Sequence, residues 1–270
     1  MIGATDVIRL APGVAVHDAL LSDAVRGHAW PLNPTGSFVL ARAGRPIGEV
    51  ARELADAFSL PRHDARSDVL RFVWQLNGLA LVNVDRTGNR LRRLVDWLRL
   101  ASRLAPAGAF PAAIARRRAL DTRSVGRGFT SAFVAVLSRM IALAAVATAL
   151  ALHLALLLGS GLSGPLLVGA ATGLGLGIHE ASHAALLRDV PSALVLHGPR
   201  TYVLHARTGR RRRALVATGG PAAVALLGLA LVVGGLLTGM PIVVVAGVPL
   251  AAHALALTVV GGDGRVACGL

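Results

Sequence analysis

From Thr122 to the final residue, 149 positions carry only three carboxylates, Glu180, Asp189 and Asp263, in a background of Ala, Leu, Val and Gly. A hydrocarbon core of about 30 Å is crossed by ~20 residues of helix, and four segments are long and apolar enough to do so: 139–158, 165–187, 215–237 and 241–260. In the second of these, Gly169, Gly173, Gly175 and Gly177 follow the small-residue spacing that lets membrane helices pack closely. The first 121 residues differ in kind, since they hold 11 of the 14 acids and mix polar with apolar positions as a small soluble domain does. The expected fold class is therefore an α-helical membrane protein with about four transmembrane helices, preceded by a small α+β domain. The expected division is a folded domain over 1–88, an Arg-rich linker over 89–130 and a membrane domain over 131–270.

The formal net charge is +14, and all 28 basic residues are arginine. Such a balance would point to nucleic acid if it formed a patch on a soluble domain. Instead the densest clusters, Arg116 to Arg118 with Arg123 and Arg127, and Arg210 to Arg213, flank apolar spans. The positive-inside rule explains them, so no nucleic-acid partner is expected. The same rule keeps the region before the first span and the loop 188–213 on the cytoplasmic side, where His179 to His183 and Asp263 then converge. Within the linker, 91–104 with Trp97 is amphipathic and fits either a helix on an anionic membrane surface or a solvated one. The lone cysteine, Cys268, excludes an internal disulfide. Residues 1–20 lack the apolar core behind a basic start that marks a secretory signal.

His179-Glu180-Ala181-Ser182-His183 places two histidines four apart on one helical face, where both imidazoles reach one metal ion. Glu180 stands beside the first of them, positioned to take a proton from an activated water and return it to a leaving amine. On a soluble helix this pattern is often a charged surface. Inside a span it is costly, at about 2.5–3.5 kcal/mol per ionised group on insertion scales, and such residues usually mark function. A catalytic zinc takes three protein ligands and leaves a fourth position open. Asp263, set between Gly262 and Gly264, is the candidate third ligand. His253 is a candidate partner that orients Asp263 or the water. His153 reads as packed and neutral, and His197 and His205 as solvated.

The stretch 142–265 resembles the site-2 protease family of intramembrane zinc metalloproteases. His179, Glu180 and His183 match its HExxH helix, and Asp263-Gly264 matches its later Asp-Gly. Gly219-Gly220-Pro221 is similar to the Gly-Pro entry of the intervening helix. Leu255 and Thr258 stand where the family commonly has Asn and Pro, a departure that bears on how substrate is held. The resemblance implies a Zn2+ cofactor bound by His179, His183 and Asp263, with Glu180 catalytic, in a multi-pass protein of a bacterial cytoplasmic membrane whose N-terminal domain is cytoplasmic.

In the first domain, strand-like segments at 7–10, 14–17 and 24–31 precede three helical patterns. The first starts at Asn33 or Thr35 and the second at Pro46, with Ile47, Val50, Ala51, Leu54 and Phe58 at helical spacing. The third runs over 64–77 and closes at Gly78. This is a winged-helix order that by itself is compatible with DNA binding. Its Leu32-Asn33-x-Thr35-Gly36, Gly44, Asp68-Val69 and Leu76-x-Gly78-Leu79 resemble PqqD-like domains, which bind leader peptides of ribosomally made, modified peptides. The resemblance implies a leader added as a strand to a sheet edge, here at 24–30, with Arg71 and Trp74 as candidate contacts. Plain solvation of Arg71 and a core place for Trp74 are the alternatives.

Joined, the halves suggest a membrane zinc endopeptidase that holds a precursor by its leader and hydrolyses it, alongside a transporter or peptide-modifying enzymes. Two alternatives stay open. One is regulated proteolysis of a membrane-anchored regulator; the other is a non-catalytic leader-binding adaptor.

Overall fold

The computed structural model describes residues 2–87, 114–157, 161–198 and 200–257, which fall into two compact units. Unit one holds Met1–Ala119 with Ala193–Ala206, and unit two holds Leu120–Ser192 with Arg207–Leu270.

Unit one begins with a ladder of β1 (Val7–Leu10) and β5 (Val82–Asp85), antiparallel with Val7 opposite Asp85 and Leu10 opposite Val82. Between them the chain forms a meander of β2 (Val14–His17), β3 (Leu20–Asp23) and β4 (His28–Pro31), followed by α1 (Pro34–Leu40), α2 (Ile47–Phe58) and α3 (Arg62–Gly78). The β2–β3 turn is two residues long, with Asp18 at φ 48° and Ala19 at φ 59°. This primed geometry matches the twist of the flanking strands. The expected single strand over 24–31 is in fact a turn and then β4. Its cause is local: the buried Asp23 carboxylate accepts the N–H groups of Val25 and Arg26, and Gly27 takes φ 62°.

The helices follow their sequence signals. Asn33 Oδ1 accepts from Gly36 N at 2.7 Å and caps α1, with Pro34 in its first turn, as capping favours. In α2 the stripe Ile47, Val50, Ala51 and Leu54 is buried, and in α3 Ala65, Val69, Val73 and Leu76 are. These pack with Ile8, Leu21, Leu81 and Val82 into one core, where each large side chain contributes roughly 1.5–3 kcal/mol on burial.

A third sheet completes the unit: β6 (Ala115–Ala119), β7 (Ser192–His197) and β8 (Arg200–His205), in that order. The loop after the HExxH helix thus forms a hairpin whose β7 pairs antiparallel with β6, Arg117 opposite Val195. Two asparagines tie β6 to the first core. Asn77 Nδ2 donates to the carbonyls of Val82 and Ala115 while its Oδ1 accepts from Ala115 N, and Asn83 bonds both N and O of Arg117. The Arg117 guanidinium grips Asp23 through two bonds of 2.8 Å, with both side chains fully buried.

Unit two is helical: α4 (Val125–Leu157), α5 (Ser163–Ala185), α6 (Arg210–Thr238), α7 (Pro241–Ala251) and a 3-10 turn (Ala252–Leu257). Helices occupy all four segments expected to span. By length and composition α4 and α6 are long and apolar enough to cross a membrane, and α7 with the turn is a shorter apolar helix. The first helix starts at Val125, well before 139, which makes it 33 residues long, about 50 Å at 1.5 Å per residue. The expected linker helix 91–104 and the last residues of the fourth segment lie outside the described residues. Pro221, expected at a helix entry, sits inside α6, which starts at Arg210. The glycines of α5 behave as their spacing suggests: a Cβ on Gly173 would come 2.6 Å from the Met140 carbonyl of α4.

Candidate metal centre

The 3.6-residue repeat of α5 sets His179 and His183 on one face. Their rings meet edge to face at 4.8 Å, and the two Nε2 atoms are 3.1 Å apart. A carbonyl only accepts, so the 2.6 Å contact between His183 Nδ1 and the Val216 carbonyl of α6 is a donation from the ring. That bond fixes the tautomer and leaves the His183 Nε2 lone pair facing His179. A carbonyl behind a ligating imidazole is the usual support of a metal-binding histidine.

Space at the pair is made by glycine. A Cβ on Gly220 of α6 would stand 2.5 Å from His183 Nε2 and 2.9 Å from the His179 carbonyl. One turn before His179, Gly175 leaves room for His253: a Cβ there would lie 2.9 Å from the His253 ring. His253 Nδ1 donates to the Pro249 carbonyl at 3.2 Å, and its ring is 5.8 Å from that of His179. Three imidazoles therefore line one face of α5.

Glu180 is buried, with 5% of its surface exposed, as is His183 at 7%. Arg139 of α4 is the cation that acts electrostatically on the Glu180 carboxylate. Among the described residues no group of three His, Cys, Asp or Glu side chains is placed to hold a metal ion. Asp263 lies outside the described residues, so the expected third ligand does too. The two histidines nevertheless fit a zinc ion on this structure's own terms. Their Nε2 atoms are spaced as two ligands at about 2.0–2.1 Å from one ion would be, and Gly220 removes the side chain that would fill the place.

The candidate peptide surface is in unit one. β4 is an edge strand of its sheet, with β3 on one side. Its residues His28, Ala29 and Pro31 are exposed, and Trp30 packs on the core with His28 edge-on at 4.5 Å. Arg71 is exposed and paired with Asp68 at 3.5 Å, and Trp74 is half-buried against the core. Sequence reading did not find the Gly220 and Gly175 contacts or the Val216 carbonyl, since each depends on which helices become neighbours.

Residues 18–82 match the family described as coenzyme PQQ synthesis protein D (PqqD). The match spans β3, β4 and all three helices of unit one, so this segment is similar to a PqqD domain. Comparison with curated proteins and with solved structures gives no match.

Proposed function

We propose that this chain is a membrane-embedded zinc endopeptidase that captures a precursor peptide by its leader at the PqqD-like domain and hydrolyses it. The observation that carries the catalytic half is the His179–His183 pair, with Nε2 atoms 3.1 Å apart and His183 fixed by Val216. The match of residues 18–82 to PqqD supports the peptide half. The apolar exposure of α4, only 11% buried over its span-like window, supports a lipid environment, because soluble proteins rarely expose patches of that extent.

In this reading His179, His183 and Asp263 hold the ion. Zinc, when bound, supplies the Lewis acidity that makes hydroxide available near neutral pH. The chain's own contributions are separate. Val216 keeps the His183 proton on Nδ1, the burial around Glu180 excludes bulk water, and Glu180 carries a proton from the attacking water to the leaving amine. An extended leader adds to the free edge of β4. Holding the precursor on the same chain raises the effective concentration of its scissile bond.

The test is zinc content and cleavage of a precursor peptide encoded beside this gene, with detergent-purified full-length protein. Glu180→Ala should keep zinc and lose about 10²–10⁴-fold in rate, the usual weight of general-base catalysis. His183→Ala and Asp263→Ala should lose zinc. If wild type binds the precursor but neither holds zinc nor cuts it, the chain is a peptide-binding adaptor instead. That second reading is favoured by the one family match lying wholly in the peptide-binding half.

A further inference from the structure

Eight arginines precede residue 86, and their partners divide them into two sets. Five are in ion pairs: Arg9 with Asp85, Arg26 with Asp23, Arg42 and Arg45 with Glu53, and Arg71 with Asp68. The other three, Arg52, Arg62 and Arg66, have no carboxylate within ion-pair distance among the described residues. All three line one groove of about 900 Å³, formed by the first turns of α2 and the start of α3, with His63 beside them. The one carboxylate among the described lining residues, Glu49, is already engaged by Arg45 at 3.4 Å.

Arg62 and Arg66 are four apart on α3, a spacing at which like charges repel and destabilise the helix. Arg52 faces them from α2, its Nε held to the Gly48 carbonyl at 3.4 Å. Each of the other arginines before residue 86 has a carboxylate partner, so three cations without one in a single concavity are a local exception. The floor between them is apolar, with Pro46, Ala51 and Leu70. A guanidinium binds a carboxylate through a planar, two-pronged contact, and apolar floor between such forks suits a chain whose acidic residues alternate with apolar ones. Duplex DNA suits the groove less well. It draws affinity from some 6–10 phosphate contacts along a continuous basic face, whereas the neighbouring arginines here are neutralised by acids.

We infer that this groove docks an acidic segment of the peptide that unit one captures, at a place separate from the β4 edge. The inference rests on the peptide-binding reading above and adds the charge of the ligand.

The experiment uses full-length protein in detergent and fluorescence anisotropy with a labelled synthetic peptide of Glu-Leu-Ala repeats, its Gln-Leu-Ala counterpart, and a labelled DNA duplex. Wild type should bind the Glu peptide at least about tenfold more tightly than the Gln peptide, with the preference falling as salt is raised. The Arg52→Glu/Arg62→Glu/Arg66→Glu triple variant, whose changes are all on exposed positions, should lose that preference while keeping its circular dichroism. Equal binding of the two peptides, a preference that survives in the triple variant, or tighter binding of the duplex that the triple variant abolishes would each overturn the inference. A neighbouring-gene precursor separates it from the wider reading. If the precursor binds wild type and triple variant equally, the groove proposal falls and leader capture stands. If the Glu peptide binds selectively and no precursor binds at all, leader capture falls and the groove remains an acidic-peptide site.

Discussion

Unit one sets a carboxylate against five of its first eight arginines and buries one further pair, Arg117 with Asp23, completely. Unit two, with few acids to spend, joins its helices through glycine: Gly173 under Met140, Gly220 under His183 and Gly175 under His253. The same chain thus uses charge pairing where side chains alternate between core and water, and close backbone approach where almost every side chain is apolar. The difference teaches where each unit is vulnerable. Unit one should fail when a charge loses its partner, and unit two when a methyl group is added.

The largest expected effect breaks the first half of that contrast. Arg117→Met leaves the buried Asp23 to Arg26, a partly exposed cation at 2.9 Å. Removing the buried partner of such a pair typically costs about 3–5 kcal/mol when nothing compensates, so a loss toward the lower end of that range is expected. Thermal or urea unfolding of the full chain should show this as a lost or strongly lowered transition of the β-containing unit. The Asp23→Leu/Arg117→Met double variant should recover most of it, since an apolar replacement of both partners is often neutral. The pH dependence checks the cause. Burial pushes the Asp23 carboxyl up, but the Arg117 hydrogen bonds and charge outweigh it and hold the group below its usual value. Its stabilisation is therefore present above the unfolded value of about 3.9 and is lost as pH falls through the lower folded value. In Arg117→Met this acid dependence should weaken, because the Arg117 bonds and charge that hold the carboxyl down are gone while Arg26 and the backbone N–H groups of Val25 and Arg26 remain.

The second prediction carries the contrast into the metal centre. Gly220→Ala adds a Cβ 2.5 Å from His183 Nε2 and 2.9 Å from the His179 backbone, neither of which can swing away. Zinc affinity should fall by about 10–100-fold, the range seen when the support of a ligating histidine is disturbed, while helix content persists. Gly219→Ala, one residue earlier, meets only the tip of the Leu186 side chain. It should leave zinc content near that of wild type, and equal loss in both variants would remove Gly220 from the site.

Gly173→Ala tests the helix contact without the metal. The added methyl would lie 2.6 Å from the Met140 carbonyl and 2.9 Å from Ala144 Cβ, and overpacking of that kind costs roughly 1–3 kcal/mol. The expected result is a lower melting point of the helical signal with unit one's transition unchanged.

These contacts also show what the sequence could and could not disclose. The helices of unit one were legible because each carries its own signals: Asn33 and Pro34 at one start, Pro46 at the next, and the buried stripe Ile47, Val50 and Leu54 at regular spacing. The apolar segments of unit two were legible from charge depletion, and the His179–His183 pair from its spacing of four. What escaped detection depends on partners far away in the chain. Nothing near residue 24 announces that Asp23 will turn the backbone and take Arg117 from 94 residues on. Nor does anything in the loop 188–213 announce that β7 will pair with β6, far earlier in the chain. The family resemblance set Pro221 at the entry of a helix, yet α6 runs through it from Arg210. The arginine groove was hidden for a related reason, since an exposed arginine becomes informative only when its neighbours' partners are known.

The smallest predicted effect is a gain, and it bears on why unit one tolerates a strained turn. Asp18 and Ala19 both hold positive φ between β2 and β3, a conformation that suits Asp well enough but that alanine adopts at a cost, because its Cβ crowds the carbonyl. Ala19→Gly removes that cost and adds some freedom to the unfolded chain, two terms of opposite sign. The first is the larger where φ is positive, so a net gain of about 0.5 kcal/mol is expected. It should appear as a raised urea midpoint for unit one with no change in the helical transition of unit two. The turn also sets the register of β3, and through it that of β4, whose free edge is the proposed leader site. A stabilised hairpin that binds precursor no less tightly would show that the turn's strain is incidental. A gain in stability coupled to a loss of binding would instead mean that the β2–β4 sheet must flex to admit a strand.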